Sequence, residues 1–310
     1  MTARLELGRD QILDYRRRVG LLDARLAPGP ASLRQAAWAG LSDSMPRAAV
    51  LSIHARVEAT TDTSWEDPSL VQLWGPRFSA YVVAAVDRAV FSLGRLPDDP
   101  AGLRRAEDTA DRLETFLAGR RMRFGEAGRA MGMAPNALRY GAATGRILIR
   151  WDGARQPTVW TAPRPDDDPP SARLELARRY LHVFGVGTTD GFGAWAGIKP
   201  GRSRGTFERL APELAPARTP VGDAWILASD ERSFREPGGR ASNVRLLPSG
   251  DAFFLLQGAD REILVPDPAR QRQLWTPRVW PGALILGGEV AGIWRRADRL
   301  LTVTDRKSVV

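Results

Sequence analysis

The spacing of apolar residues predicts helices along the first part of the chain. "DQILDYRRRVGLL" carries apolar residues at helical spacing from Ile12 to Leu22, with Asp10 as its N-cap. "SLRQAAWAGL" and "AAVLSIHARV" follow as further helices on either side of the polar break "SDSMPR". "AYVVAAVDRAVFSLG" is apolar enough to form either another helix or a pair of strands. We therefore expect an N-terminal unit over residues 1–98 that is mostly helical.

The next part, residues 99–165, has the order of elements of a winged helix. An amphipathic helix from Arg104 to Leu117 precedes a short helix that stops at Gly132 and another that starts near Pro135. The alternating strands "RILIRW" and "TVWTA" then flank the turn sequence "DGARQP". Three helices followed by a hairpin indicate a helix-turn-helix variant whose hairpin is the wing.

The third part, residues 166–240, repeats this order, and the last part, residues 241–310, is rich in strands. "SARLELARRYLHVFG", "TTDGFGAWAGI" and "GTFERLAPEL" predict helices, and "ARTPVGDAWILAS" predicts a hairpin. The C-terminal strands are expected at "DAFFLL", "REILVP", "GALILGGEVAGIWRR" and "LLTVTD", with Gly287-Gly288 as a hairpin turn. Loops at "LPDDPAG", "PRPDDDPP" and "EPGGRASN" separate the four parts.

The charge of the chain indicates an acidic partner. The net charge is +9, and Lys199 and Lys307 are the only lysines, so the positive charge is carried by arginine. Between residues 120 and 164, nine arginines stand against two acids, an excess of +7. A GC-rich genome also favours arginine, and a single arginine is more often a solvated surface residue. It is the coincidence of charge and winged-helix pattern that predicts binding to double-stranded DNA.

The predicted DNA contacts follow from this pattern. Arg139 lies on the candidate recognition helix, Arg146 at its end, Arg150 on the following strand and Arg155 at the wing tip. A second basic group consists of Lys199, Arg202 and Arg204 at the equivalent turn of the third part, and a third includes Arg278. Phosphate contacts of this kind are sensitive to salt and largely blind to sequence.

Several classes of site are excluded by composition. The chain has no cysteine, and its two histidines, His54 and His182, are far apart in sequence, so we predict no disulfide and no metal site. No apolar run approaches ~20 residues and the N-terminus does not resemble a secretory signal. No glycine pattern is typical of a phosphate loop. We expect a cytoplasmic monomer, nucleoid-associated when bound to DNA, with no cofactor, no nucleotide and no membrane partner.

Four blocks of sequence, in this order and spacing, resemble the AlkZ-like DNA glycosylases. They are "WAGLSDSMPRAAVLSIHARV", "LELARRYLHVFG" with "FGAWAGI", "LLPSGDAFFL" and "VWPGALILGGEVAGIWRR", and together they cover nearly the whole chain. The resemblance implies an α+β fold with tandem winged-helix domains in a C-shaped arrangement and a β-rich C-terminal part. It also implies recognition of alkylated or bulky-adduct bases, with base excision as the chemistry.

The family's excision activity is tied to Gln-x-Gln or Gln-x-Asp before a Pro-Arg segment, and here the matching residues are Ser42 and Ser44 in "GLSDSMPR". In the family this motif holds the water that attacks the sugar C1′, and a serine stops two heavy atoms short of a glutamine. We therefore expect weak excision or none. Asp43 could act as a general base or stabilise an oxocarbenium ion, but in an extended segment it faces away from both serines. Without the resemblance, "LSDSMP" is typical of a helix cap or polar turn.

Other residues near the motif complete the predicted DNA site. Arg47 follows it directly, and His54 and Arg56 come shortly after; His54 is the first candidate for a phosphate or abasic-sugar contact. Arg77 lies near Trp74, a pair that suits a distorted nucleotide, although such a tryptophan is often simply buried. His182 is interpreted as structural. The alternatives to a glycosylase are a non-catalytic DNA-binding regulator or lesion sensor, and a protein-interaction scaffold.

Overall fold

The computed structural model describes residues 4–45, 47–153, 156–236, 243–256 and 260–305. The first part holds a three-stranded sheet in the order β2-β4-β3, in which Ser42 lies opposite Tyr81. The predicted Asp10 cap is wrong, because the helix begins at Arg9 after Gly8. The elements are β1 (Leu5–Glu6), α1 (Arg9–Val19), α2 (Pro30–Ala36), β2 (Leu41–Ser42), α3 (Ala48–Arg56), β3 (Leu70–Trp74), β4 (Ala80–Ala84) and α4 (Arg88–Ser92).

The central part has the predicted order of helices followed by a hairpin, which is compatible with a winged helix. The helix expected after Pro135 is a 3-10 helix, Pro135–Thr144, and it ends at Gly145 with φ 76°. The strands form a sheet in the order β5-β7-β6. The elements are α5 (Pro100–Leu117), β5 (Met122–Arg123), α6 (Phe124–Ala130), β6 (Ile147–Arg150) and β7 (Thr158–Thr161).

The third part repeats three helices and a hairpin, as predicted. Thr188 caps α8 by accepting a hydrogen bond from the Gly191 amide. Strand β1 pairs in parallel with β8, Leu5 opposite Ala217, so the N-terminal segment extends the sheet of the third part. The elements are α7 (Pro169–Phe184), α8 (Thr189–Ala196), α9 (Pro200–Leu210), β8 (Leu214–Thr219), β9 (Gly222–Leu227) and α10 (Glu231–Arg235). The four domain boundaries stay a prediction.

The C-terminal part is an antiparallel sheet of order β10-β11-β12-β13 with two short helices. Gly287 and Gly288 form the predicted hairpin turn, both with positive φ. Two predicted strands are wrong: "DAFFLL" forms a turn, and "REILVP" contains a helix. A short apolar run that is buried on all sides has no periodicity that separates strand from helix. The elements are β10 (Val244–Leu247), α11 (Asp260–Leu264), α12 (Pro268–Leu274), β11 (Gly282–Leu286), β12 (Glu289–Ala297) and β13 (Leu300–Asp305).

One large apolar core joins the first, third and C-terminal parts and includes Leu148 of the central part. A smaller core lies mostly in the central part and includes Trp74 and Ala80 of the first. Buried arginines hold the parts together. Arg95 donates from Nε to the Ala196 carbonyl (3.0 Å) and from Nη1 to the Trp74 carbonyl (3.2 Å), which connects the first part to the third. Burial lowers the pKa of Arg95 to about 10. Arginine in this chain therefore serves the interior as well as the surface.

Helix and strand are mixed throughout, which confirms the α+β fold class. Within the described ranges, no helix has both the length and the apolar character needed to cross a membrane.

Candidate nucleic-acid site

The two motif serines lie on one side of an extended segment. Ser42 Oγ and Ser44 Oγ are 3.1 Å apart, in hydrogen-bond contact, because alternate residues of a strand share a face. Ser42 is buried and Ser44 is exposed, so the pair reaches the surface through Ser44. We call these two hydroxyls the serine pair.

Gly250 closes the inner side of the serine pair. A Cβ at this position would lie 3.1 Å from Ser42 Oγ, and the backbone has φ 77°. Both the close approach and the left-handed conformation favour glycine here. A longer side chain at residue 42 would therefore meet the backbone of Gly250, whereas one at residue 44 has solvent beside it.

Asp43 points to the opposite side, as the alternation of the segment predicts. Its carboxylate accepts hydrogen bonds from the Ala49 amide in the first turn of α3 (3.0 Å) and from Gln72 Nε2 (2.6 Å). Burial raises its pKa to about 7, and the hydrogen bonds from Ala49 and Gln72 oppose that rise. The helix-cap interpretation of "LSDSMP" thus describes Asp43, whose carboxylate is withdrawn from the surface.

Gln72 is a residue of this site that the sequence patterns missed. It also bonds to the backbone of Trp151, accepting from the amide at 2.5 Å and donating to the carbonyl at 3.3 Å. This connects the motif segment to the start of the central hairpin. The available signal was a polar side chain inside the apolar run "LVQLW".

Arg56 is an internal residue and has no surface to offer to DNA. Its guanidinium bonds to Asp251 through Nη1 (2.7 Å) and Nη2 (2.8 Å), and Ser52 Oγ also donates to Asp251 (2.6 Å). Burial alone would raise the pKa of Asp251, but the Arg56 guanidinium holds it below its ordinary value. This pair fixes the loop that carries Gly250 against α3, so the predicted DNA contact of Arg56 is incompatible with its burial.

Arg146 and Arg202 are held in ion pairs with acids from distant segments. Arg146 contacts Asp111 and Glu114 of α5, and its side chain is only 16% exposed. Arg202 Nε lies 2.8 Å from Asp98 in the loop before α5, and its side chain is 10% exposed. These ion pairs compensate the guanidinium charges of Arg146 and Arg202 within the protein, which conflicts with the DNA contacts expected of the two residues.

Arg139 is turned inward from the 3-10 helix. Its guanidinium lies 5.7 Å from the ring centres of both Trp74 and Phe124, and it donates to the Phe78 carbonyl at 3.4 Å. The expected presentation of Arg139 to a DNA groove is therefore not observed. Trp74 is likewise a core residue, 2% exposed.

Two further predicted contacts are paired but remain partly exposed. Arg150 Nη2 is 2.7 Å from Glu66, and Lys199 Nζ is 3.0 Å from Asp99. Exposed pairs of this kind are weak and can exchange an acid for a phosphate. Arg155 lies outside the described residues.

Apart from the inward-turned Arg139, four predicted cations have no ion-pair partner among the described residues: Arg47, Arg77, Arg204 and Arg278. Arg47 is exposed and lies just after the motif, and its guanidinium donates to the Asp62 carbonyl (3.2 Å). Arg77 has φ 55° in the loop between β3 and β4, close to the backbone of Gly197.

His54 is exposed on α3, with Nδ1 2.9 Å from Thr60 Oγ1 and Nε2 3.5 Å from Arg25. Burial, and then the charge of Arg25, lower its pKa below the ordinary value. At neutral pH His54 is therefore a polar contact rather than a cation. In the part of the chain that the structure describes, no three potential metal ligands cluster.

Comparisons with known proteins agree with this architecture. A sequence profile of the family described as "DNA glycosylase AlkZ-like" matches residues 35–307. The solved structure of Streptomyces sahachiroi DNA glycosylase AlkZ superposes with a TM-score of 0.77 at 16% identity, covering 100% of this chain and 92% of that one. At this identity the superposition establishes the fold. A comparison with curated proteins found no match.

Proposed function

The chain belongs to the AlkZ-like DNA glycosylase family, and we propose that it binds damaged double-stranded DNA and slowly excises alkylated bases that leave from a cationic state. The observation that carries this proposal is the arrangement of the motif position. The serine pair opens outward through Ser44, while the one carboxylate of the motif, Asp43, is buried on the other side.

Hydrolysis of a glycosidic bond needs a water aimed at C1′ and a negative or dipolar group facing the developing oxocarbenium ion. The serine pair supplies two hydroxyl dipoles, which can orient a water through Ser44. It supplies no charge, because Asp43 faces the interior. The protein therefore stabilises the sugar cation only weakly.

The leaving group then decides which bases are released. An N7-alkylated guanine already carries a positive charge, so the C1′–N9 bond breaks with its electron pair neutralising the purine ring. The water oxygen bonds to C1′ and its proton passes to solvent. A neutral lesion needs protonation or strong stabilisation of the sugar cation, and neither is offered at the serine pair.

Binding to DNA is supported by the surface charge. The net charge is +9, and the unpaired cations include Arg47 beside the motif and Arg77 in the loop between β3 and β4. Since ion pairs within the protein compensate several other arginines, we assign most of the phosphate contacts to the unpaired ones.

The test is excision from duplexes that carry either 7-methylguanine or the neutral lesion 1,N6-ethenoadenine, with cleavage at abasic product as the readout. Wild type should act slowly on the first and not on the second. Ser44→Gln should raise the rate on 7-methylguanine by on the order of 10²-fold, because its amide reaches the water position that a hydroxyl does not.

Ser44→Asn is the matched control, since it carries the same amide one carbon shorter and should gain much less. Affinity for the duplex should be nearly unchanged in both variants. Fast excision of the neutral lesion by wild type would refute the proposal. If every variant binds damaged duplex and none excises, the protein is a non-catalytic lesion sensor.

A further inference from the structure

A pocket of about 270 Å³ lies directly behind the serine pair. Its wall includes Gly40 and Leu41, which immediately precede Ser42, and Ala252, two residues after Gly250. The two chain segments that meet at the serine pair therefore also border this pocket.

His182 of α7 is part of the pocket wall, and its ring is fixed by a buried carboxylate. His182 Nδ1 is 2.9 Å from Asp230 Oδ2 and 3.1 Å from the Tyr15 hydroxyl, which itself donates to Asp230 Oδ2 at 2.8 Å. Burial and the Asp230 charge raise the pKa of Tyr15, so this hydroxyl keeps its proton. Nδ1 must then carry the hydrogen that it donates to Asp230. In this tautomer the free lone pair of the ring is on Nε2.

The His182 ring also contacts a tryptophan that is itself held in place. Trp38 meets His182 edge to face, with ring centres 5.3 Å apart. The Arg179 guanidinium lies 4.9 Å from the Trp38 ring and donates to the Trp38 carbonyl at 2.8 Å. Arg179 is anchored in turn by Asp87, 2.7 Å away. The pocket thus has a rigid aromatic wall with one oriented imidazole.

The size and charge of the pocket restrict what it can hold. A volume of 270 Å³ is below the usual range for drug-sized ligands, so a single heterocycle fits better than a nucleotide. The one arginine in the wall, Arg56, is neutralised by Asp251. No free cation for a phosphate therefore lines the pocket among the described residues.

We propose that this pocket binds a purine base, with a ring or exocyclic N–H donating to His182 Nε2 and the ring lying against the apolar wall around Trp38. The inference rests on the proposed function, since the serine pair would supply the released base. It gives His182 a role in holding the base, beyond the structural one that the sequence predicted.

The chain has only two histidines, which makes a direct binding test simple. The imidazole C–H signals of the folded protein are followed by NMR during titration with free 7-methylguanine, and His54→Gln assigns them. The signals of His182 should shift saturably and those of His54 should not.

Two variants probe the pocket independently. His182→Asn keeps a side-chain amide that can donate to Asp230 and removes Nε2, and it should weaken binding about tenfold, the loss of one hydrogen bond. Ala252→Leu leaves His182 intact and fills space in the pocket, and it should abolish the shift. Thermal unfolding of each variant confirms that it is folded.

The inference is overturned if no signal shifts in folded wild type. It is also overturned if folded His182→Asn and folded Ala252→Leu both bind the purine as tightly as wild type does. The titration contains no DNA, so its result is independent of excision. A protein that excises bases but does not bind the free purine refutes the pocket alone. A protein that binds the purine at His182 but never binds duplex DNA keeps the pocket and refutes the proposed function.

Discussion

Replacing Asp43 with asparagine separates the two roles that the motif position allows for this carboxyl group. In the structure Asp43 caps α3 through Ala49 and bonds to Gln72 from the inner side of the segment. If this geometry holds, the substitution alters stability and its pH dependence. If Asp43 is the catalytic base, the substitution alters excision instead.

The magnitude follows from the pKa of Asp43, which burial raises from an ordinary 3.8 to about 7. Near pH 3 the Asp43 carboxyl group is protonated in both the folded and the unfolded chain, so it adds no pH dependence to the stability. As pH rises from about 4 to 7, the unfolded chain releases its proton while the folded chain keeps it, so stability falls. The full shift corresponds to about 4 kcal/mol, an upper figure that is reached only above pH 7.

Asparagine cannot ionise, so the stability of Asp43→Asn does not fall in this way as the pH rises. It has its own cost, because its amide cannot satisfy both donors, the Ala49 N–H and the Gln72 Nε2. Leaving one buried donor unsatisfied costs about 1–3 kcal/mol. We therefore expect the variant to be less stable than wild type at pH 4.5, and equally or more stable at pH 8.

The assay is urea unfolding of both proteins at pH 4.5 and pH 8, which gives the stability difference between variant and wild type at each pH. Comparing the two values removes the contribution of every other titrating group that the substitution does not touch. Excision of 7-methylguanine by Asp43→Asn should stay close to the wild-type rate. A stability difference that is the same at both pH values would refute the burial argument. A folded variant that has lost excision would make Asp43 the catalytic group.

Two further predictions concern arginines. Arg77→Ala should weaken duplex binding and lower the salt slope by about one released ion, whereas Arg146→Ala should change neither, because α5 acids already compensate Arg146. Fluorescence anisotropy at several salt concentrations measures both, and equal losses would place Arg146 at the interface. Arg56→Met should destabilise the fold by about 3–5 kcal/mol, because it leaves the Asp251 carboxylate buried and unpaired. An unchanged urea midpoint would contradict the structural role of Arg56.

The sequence predicted those features that depend on local pattern. The hairpins at "ARTPVGDAWILAS" and Gly287-Gly288 are observed, because turn chemistry acts over a few residues. The alternation of an extended segment also predicted that Ser42 and Ser44 share one side and that Asp43 leaves it. The strands predicted at "DAFFLL" and "REILVP" were wrong, because complete burial removes the periodicity on which a strand assignment depends.

Charge could not be assigned from the sequence in the same way. The excess of +7 counts residues 120–164 alone, and the acids that compensate it lie outside that window. Glu66 pairs with Arg150, and α5 supplies the carboxylates around Arg146 and Arg164. Only the three-dimensional contacts show which arginines remain unpaired. For the same reason the buried pair of Arg56 and Asp251, almost two hundred residues apart, has no local signal.

The motif position is the basis of the weak excision that we propose. The fold places residues 42 and 44 on one side of the segment, with residue 44 exposed, and it places residue 43 in the interior on the other side. In this chain position 43 holds a buried carboxylate, and positions 42 and 44 hold short hydroxyls. Gly250 lies against Ser42 and limits the size of a side chain at that position. Position 44 is therefore the one at which a longer side chain such as glutamine can be introduced. A preference for cationic lesions would then arise from weak stabilisation of the sugar cation at the serine pair, because only bases that leave readily are released without it.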